Sequence, residues 1–179
     1  MAITFGYTPT QKVIRGGILY IAAWSGSTPP ADGDFVNIGE CSKLDIAPKV
    51  TSVKSYTVQH GLKEVDAVDP VAVENTVTFV LEQENQDILA LFVLGTKVGS
   101  NEVTAFTNLS QEWALKFIPA VVRGEGWIEK IWRVRITPAG ARSLLSPDKY
   151  GQVNFTAEVM ADYSNNPTKP WGDCVKMTS

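Results

Sequence analysis

The side chains best suited to chemistry in this 179-residue chain are one histidine, two cysteines and a few closely spaced carboxylates. His60 stands alone in a polar stretch, and no carboxylate is placed to orient it as a general base. It reads as a solvated side chain. Cys41 and Cys174 could pair only if the fold brings them together, and no Cys-x-x-Cys, second histidine or acid-rich calcium loop accompanies them. In a chain without a leader they read as free thiols. Asp32-Gly33-Asp34 is a turn signal, too short for a calcium loop. GEG at 124–126 lacks a phosphate-loop lysine and precedes a strand-like run, so it reads as a hairpin turn or bulge. Glu82 and Glu84 could be acid and base only in a cleft with partners, and they read instead as a solvent-facing acidic strip. Sequons at Asn108 and Asn154 carry little weight without a secretory signal. The chemistry is therefore missing its parts: no catalytic residues, no metal site and no cofactor are expected, and the chain is not expected to be an enzyme.

The hydrophobic share is 44% and the charged share 20%, ordinary for a globular domain. The longest strongly apolar run covers only 88–94, far short of the ~20 residues of a membrane helix. The first residues lack the charged-then-apolar order of a signal peptide, so synthesis in the cytosol is expected. The net charge is −3 without a basic cluster, which argues against a protein that grips nucleic acid by neutralising phosphates. Residues 1–90 carry 6 basic and 11 acidic side chains and residues 91–179 carry 10 and 8. Opposite signs on two surfaces would suit head-to-tail stacking, although a fold that mixes the halves would erase the asymmetry.

Strand signals dominate the chain. GILYIAAW at 17–24 is a compact apolar run between Gly-Gly and a turn-rich segment at 25–34. A weak alternation follows at 37–47. Residues 48–70 are polar with scattered valines and read as a long loop between two strands, an element that is usually functional at this length. Alternation is clean at 74–83, with Val77, Phe79 and Leu81 on one face. Asn85 is a candidate N-cap for a short apolar helix, about 85–95, that Gly95 closes. Strands return at 102–107, 112–119, 126–137 and 151–163. A Pro-containing tail from 164 is expected to be extended, and Trp171 within it predicts docking on its own or a neighbour's surface. The fold class is therefore mainly β, a two-sheet antiparallel sandwich or barrel with one short flanking helix.

The segment GECSKLDIAPKV, followed by SYTVQHGLKEVDAVDPVAVENTVTFVLEQENQDILALFVLG, resembles the major tail tube proteins of siphophages, the long non-contractile-tailed bacteriophages. The matching residues are Gly61, Leu62, Lys63, Val65 and Asp66, then Val77, Phe79, Leu81, Asn85, Ile88, Leu89, Ala90, Leu91, Phe92, Leu94 and Gly95. The likeness is good over about 37–95 and elsewhere holds only in strand order. It looks nearest to the tubes of the flagellum-seeking, Chi-like group.

This resemblance implies a single tail-tube domain over 1–163, with an N-terminal arm at about 1–16, a long inter-ring loop at about 48–74 and an extended C-terminal tail at 164–179. It implies a virion protein, assembled in the host bacterial cytoplasm into stacked hexameric rings. The tape measure protein and DNA pass through the lumen, and tail tip and terminator proteins sit at the ends, with no membrane partner. The inter-ring loop would present Lys49, Lys54, Tyr56, His60, Gly61, Leu62, Lys63, Glu64 and Asp66. A lumen that lets DNA slide should be acidic or neutral rather than basic. Two strand faces meet that demand: Glu74, Thr76, Thr78, Glu82 and Glu84 on one, and Gln152, Asn154, Thr156, Glu158 and Asp162 on the other. The strand carrying Arg133 and Arg135 fits less well. A secretion-system inner-tube ring protein and a monomeric β-sandwich binding module are the alternatives.

Overall fold

The computed structural model describes residues 16–26, 28–59, 62–83, 85–120, 126–142 and 151–177. The strands are β1 (Gly17–Ala23), β2 (Val36–Gln59), β3 (Leu62–Leu81), β4 (Thr96–Val98), β5 (Glu102–Thr104), β6 (Trp113–Pro119), β7 (Trp127–Pro138), β8 (Val153–Val159) and β9 (Asp173–Lys176), with one helix, α1 (Gln86–Phe92). Each alternating segment became a strand because it offers one apolar face to a shared interior. Six strands close on themselves in the order β6-β1-β2-β3-β8-β7, with β7 pairing back to β6, and every pairing is antiparallel. The result is a small barrel, which leaves no free edge within the closed part.

The interior holds Leu19, Ile21, Val77, Phe79, Leu81, Leu115, Val134, Ile136, Val153, Phe155 and Ala157, all buried. Phe79 stacks on Phe155 at 5.1 Å, and Phe92 of α1 meets the same ring edge-on at 6.4 Å. Helix α1 joins this core through Ile88 and Leu91. It starts where the sequence places its cap: the Asn85 side chain accepts a hydrogen bond from the Ile88 N–H. Its end differs from expectation. The left-handed residue is Leu94 (φ 49°), and the Gly95 N–H returns to the Ala90 carbonyl. Gly95 is required for another reason, since a Cβ there would lie 2.1 Å from the Thr104 carbonyl oxygen.

A second, smaller cluster forms outside the barrel wall from Ala22, Trp24, Phe35, Ala114 and Trp132. It is latched by Asp32, which bonds Lys116 at 3.1 Å and Lys130 at 2.8 Å. Those two amines hold the Asp32 carboxyl below its usual range.

Two expectations need correction. Residues 48–74, read as a loop, are a two-stranded ribbon in which β2 and β3 stay paired from Pro48↔Asn75 out to Gln59↔Leu62. The alternation was hidden because bulges at Thr51/Ser52 and Ser55/Tyr56 shift it twice and the valines are shared between two strands. Residues beyond 163, read as an extended tail, turn back and add β9 to the near end of β7. Trp171 packs against the main core, so the tail docks on its own domain.

Candidate functional site

The ribbon is the feature most in need of a function. Its twelve β2 residues, 48–59, reach about 40 Å at strand rise. That is more than twice the ~16 Å radius of gyration expected of a chain this long. Among the described residues no other strand pairs with it: β1 leaves β2 at Cys41, and β8 leaves β3 at Asn75.

Directly paired residues share a face, so the register sorts the ribbon into two sides. One side continues the barrel's core face, from Leu44/Phe79 and Ile46/Val77 to Pro48/Asn75 and Val50/Val73, then past the first bulge to Ser52/Pro70, Lys54/Val68 and Tyr56/Val65. Val50, Val65, Val68 and Val73 are each about half exposed or more here. An apolar stripe that begins as core therefore runs out into solvent. The other side is mostly polar, with Lys49 and Glu74 ion-paired at 2.8 Å, followed by Thr51/Ala72 and Val53/Asp69. Bonding to Glu74 holds the Lys49 amine above its ordinary value.

Of the residues expected in an inter-ring element, Lys49 stands on the polar side, Lys54 and Tyr56 on the apolar side, and Asp66 is the extra residue of the second bulge. His60 and Gly61 lie outside the described residues, as do the side chains of Leu62, Lys63 and Glu64 and residues 1–15 of the arm expected at about 1–16. The exposed valines are the residues that sequence reasoning missed. Their signal was an apolar stripe readable only after the two strands are set in register.

The outer face of the barrel gathers most of the polar residues expected to line a channel. Thr76 opposes Glu158, Thr78 opposes Thr156, and Glu74 continues the same side of β3 outward. Asn154 belongs to this face opposite Val80. Glu82 and Gln152 sit just past the strand ends and approach to 3.5 Å. Glu84 lies outside the described residues. Asp162 is a correction: it is 4% exposed and caps the turn leading to β9, accepting a bond from Asn165 at 3.0 Å. Strand β8 stops at Val159, so the alternation that placed Asp162 with Glu158 no longer applies.

Two further strands extend this face. Asp45 and Ala47 of β2 oppose Thr78 and Thr76, and Arg135 and Thr137 of β7 oppose Glu158 and Thr156. Lys43 pairs with Asp45 at 2.9 Å. Lys43, Lys49 and Arg135 thus stand among Asp45, Glu74, Glu82 and Glu158, and the face is polar and close to charge-balanced rather than uniformly acidic. Arg133 is withdrawn into a two-pronged bond with Glu112 at 2.6 and 3.1 Å, which holds the Glu112 carboxyl below its usual range.

Both cysteines are free. Burial pushes the Cys41 thiol up, and the Cys174 thiol, donating to Glu129 at 2.7 Å, is pushed up to about 11. Neither is poised as a nucleophile. Among the described residues no group of three or more His, Cys, Asp or Glu is placed to hold a metal, and no helix is long and apolar enough to cross a membrane.

No family model and no curated protein matches the chain. Two solved structures from PVC, an extracellular contractile injection system in its extended state, are similar in outline. One is from the sheath–tube complex, with 8% identity, 94% of this chain and 91% of that chain covered, and a TM-score of 0.38. The other is from the sheath/tube terminator, with 9% identity, 99% and 100% covered, and a TM-score of 0.33. At these scores neither likeness carries the functional reading, which rests on the geometry of the chain itself.

Proposed function

We propose that the chain is a structural subunit that assembles into a tube: stacked hexameric rings forming the hollow tail tube of a siphophage virion. The observation that carries this reading is the ribbon. An apolar stripe that continues a barrel's core face some 40 Å into solvent is stable only if another molecule covers it. Each ribbon strand has one partner among the described residues, so its outer edge also presents unpaired N–H and C=O groups that a neighbouring copy can meet.

In the assembled tube the ribbon bridges from one ring to the next, and the polar four-strand face lines the lumen. Charge balance there suits a channel through which the tape measure protein and then DNA must move, because an unneutralised basic wall would hold phosphates. Tail tip and terminator proteins close the two ends, and the tube is built in the host cytoplasm. The subunit's work is assembly, not catalysis.

The test is to replace residues 48–74 with Thr-Asn-Gly: the threonine takes Pro48's place opposite Asn75, and Asn-Gly makes the two-residue turn. The shortened chain should fold as a monomer with the barrel intact and fail to polymerise under conditions in which the full chain does. Tubes from the shortened chain would refute the ribbon's role.

A further inference from the structure

The wall of the barrel beside α1 carries an open apolar groove of about 580 Å³ that the assembly described so far leaves unused. Its floor includes Ile21, Val36, Ile38 and Leu91, with Leu94 and Trp113 at its sides. Val36 is 57% exposed within it, so the groove is not filled by the described residues. Asp34 and Asp87 stand on the rim with one cation, Lys97, which is ion-paired to Asp87. Asp34 is left as the rim's uncompensated charge: its carboxylate accepts only the Ala31 N–H among the contacts described.

Resting on the tube reading, we infer that this groove is the receptor for the ribbon of a second copy of the chain, with Lys54 of one copy set against Asp34 of the next. Two observations bring them together. The first is charge. The ribbon's apolar side carries Lys54 between Val68 and Tyr56/Val65 in register, while Asp69 and Glu74 are on the opposite side and Asp66 is the extra residue of the second bulge. An apolar and basic stripe thus meets an apolar and acidic groove.

The second is polarity along the chain. Strand β2 begins in the groove, at Val36 and Ile38, and runs 24 residues without a break to the ribbon's end at Gln59. Donor and acceptor surfaces stand at opposite ends of one continuous element, so a subunit's own ribbon is carried away from its own groove. A self-complementary pair divided in this way makes heterologous, head-to-tail contacts, and such contacts propagate without closing along the stacking direction. This is the connectivity a tube needs.

Charge reversal on the full-length chain tests the pairing. Asp34→Lys and Lys54→Asp are both at exposed positions, and circular dichroism and thermal melting should match the parent. Each variant alone should need at least about tenfold more protein to form sedimentable tubes, because every junction then sets like charges together. An equimolar mixture of the two should polymerise near the parental concentration, since alternating copies restore opposite charges at every junction. The inference is overturned if either variant alone polymerises like the parent, or if the mixture stays unassembled. If Asp34→Lys polymerises normally while removal of the ribbon abolishes tubes, the tube reading stands and only the groove assignment fails. A parent chain that never polymerises removes both.

Discussion

Val50→Asp is the substitution that best separates folding from assembly. Val50 faces Val73 across the ribbon, and the two are 58% and 48% exposed. In the monomer the change costs little: one cross-strand apolar pair, about 0.2–1 kcal/mol, in an arm outside the barrel core. For a domain of this size that lowers Tm by at most about 4 °C. In the assembly the cost is larger. A valine taken from fully exposed to buried contributes about 1.5–3 kcal/mol, so covering the exposed half of Val50 is worth about 1 kcal/mol. Pressing a carboxylate onto an apolar neighbour adds about 2 kcal/mol or more. A total near 3 kcal/mol is roughly a hundredfold rise in the concentration at which tubes appear. Pelleting across a dilution series, with melting curves on the supernatant monomer, reads both quantities. Polymerisation of Val50→Asp at the parental concentration would refute the idea that this stripe is covered in the assembly. A Tm drop of 10 °C would refute the idea that the ribbon is energetically separate from the barrel.

The remaining predictions concern the frame that carries the ribbon. Gly172 has φ 143° and sits so close to β7 that a Cβ would lie 2.0 Å from the Lys130 carbonyl; Gly172→Ala should release β9, seen as faster amide exchange at 173–176 and a red shift in Trp171 emission, with the barrel strands still protected. Glu129→Gln removes the anion that raises the Cys174 thiol, and should speed its alkylation at pH 8 by about tenfold, the gain in thiolate being partly offset by its lower nucleophilicity; an unchanged rate would mean the Cys174–Glu129 bond is not formed in solution. The Glu112 carboxyl is depressed chiefly by its bond to Arg133, so its contribution to stability is present above the ordinary carboxylate value of 4.5 and is lost as pH falls through the lower folded value. Glu112→Gln should therefore melt roughly 3 °C below the parent at pH 7, with the gap closing in acid; a gap that does not narrow as pH falls below 4.5 would assign the loss to packing instead.

How much of this was legible in the sequence follows from where each element has its neighbours. Strand β8 and the inner part of β3 could be read directly, because Val153, Phe155, Ala157 and Val77, Phe79, Leu81 alternate against a single interior. Helix α1 was legible from Asn85 and the run that follows it. The ribbon was not, because neither of its strands has a buried face: its alternation makes sense only in the paired register, and two bulges and the prolines at 48 and 70 interrupt it. The second cluster is not legible from alternation, because only the closed barrel shows Trp24 and Trp132 outside the wall. The mixed charge of the polar face was not legible, because Arg135 lies far from Glu158 in sequence and meets it only through the β7–β8 pairing. Asp162 was misplaced because the strand expected to run to 163 ends at Val159.

Negative-stain electron microscopy of the purified full-length chain over a rising concentration series bears most directly on the central proposal. Hollow tubes or short stacks of rings, appearing above a threshold concentration and lost when residues 48–74 are replaced by a turn, are the predicted result. Particles that remain single barrels at every concentration, with the ribbon's valines still exposed, would contradict it and favour a monomeric binding module.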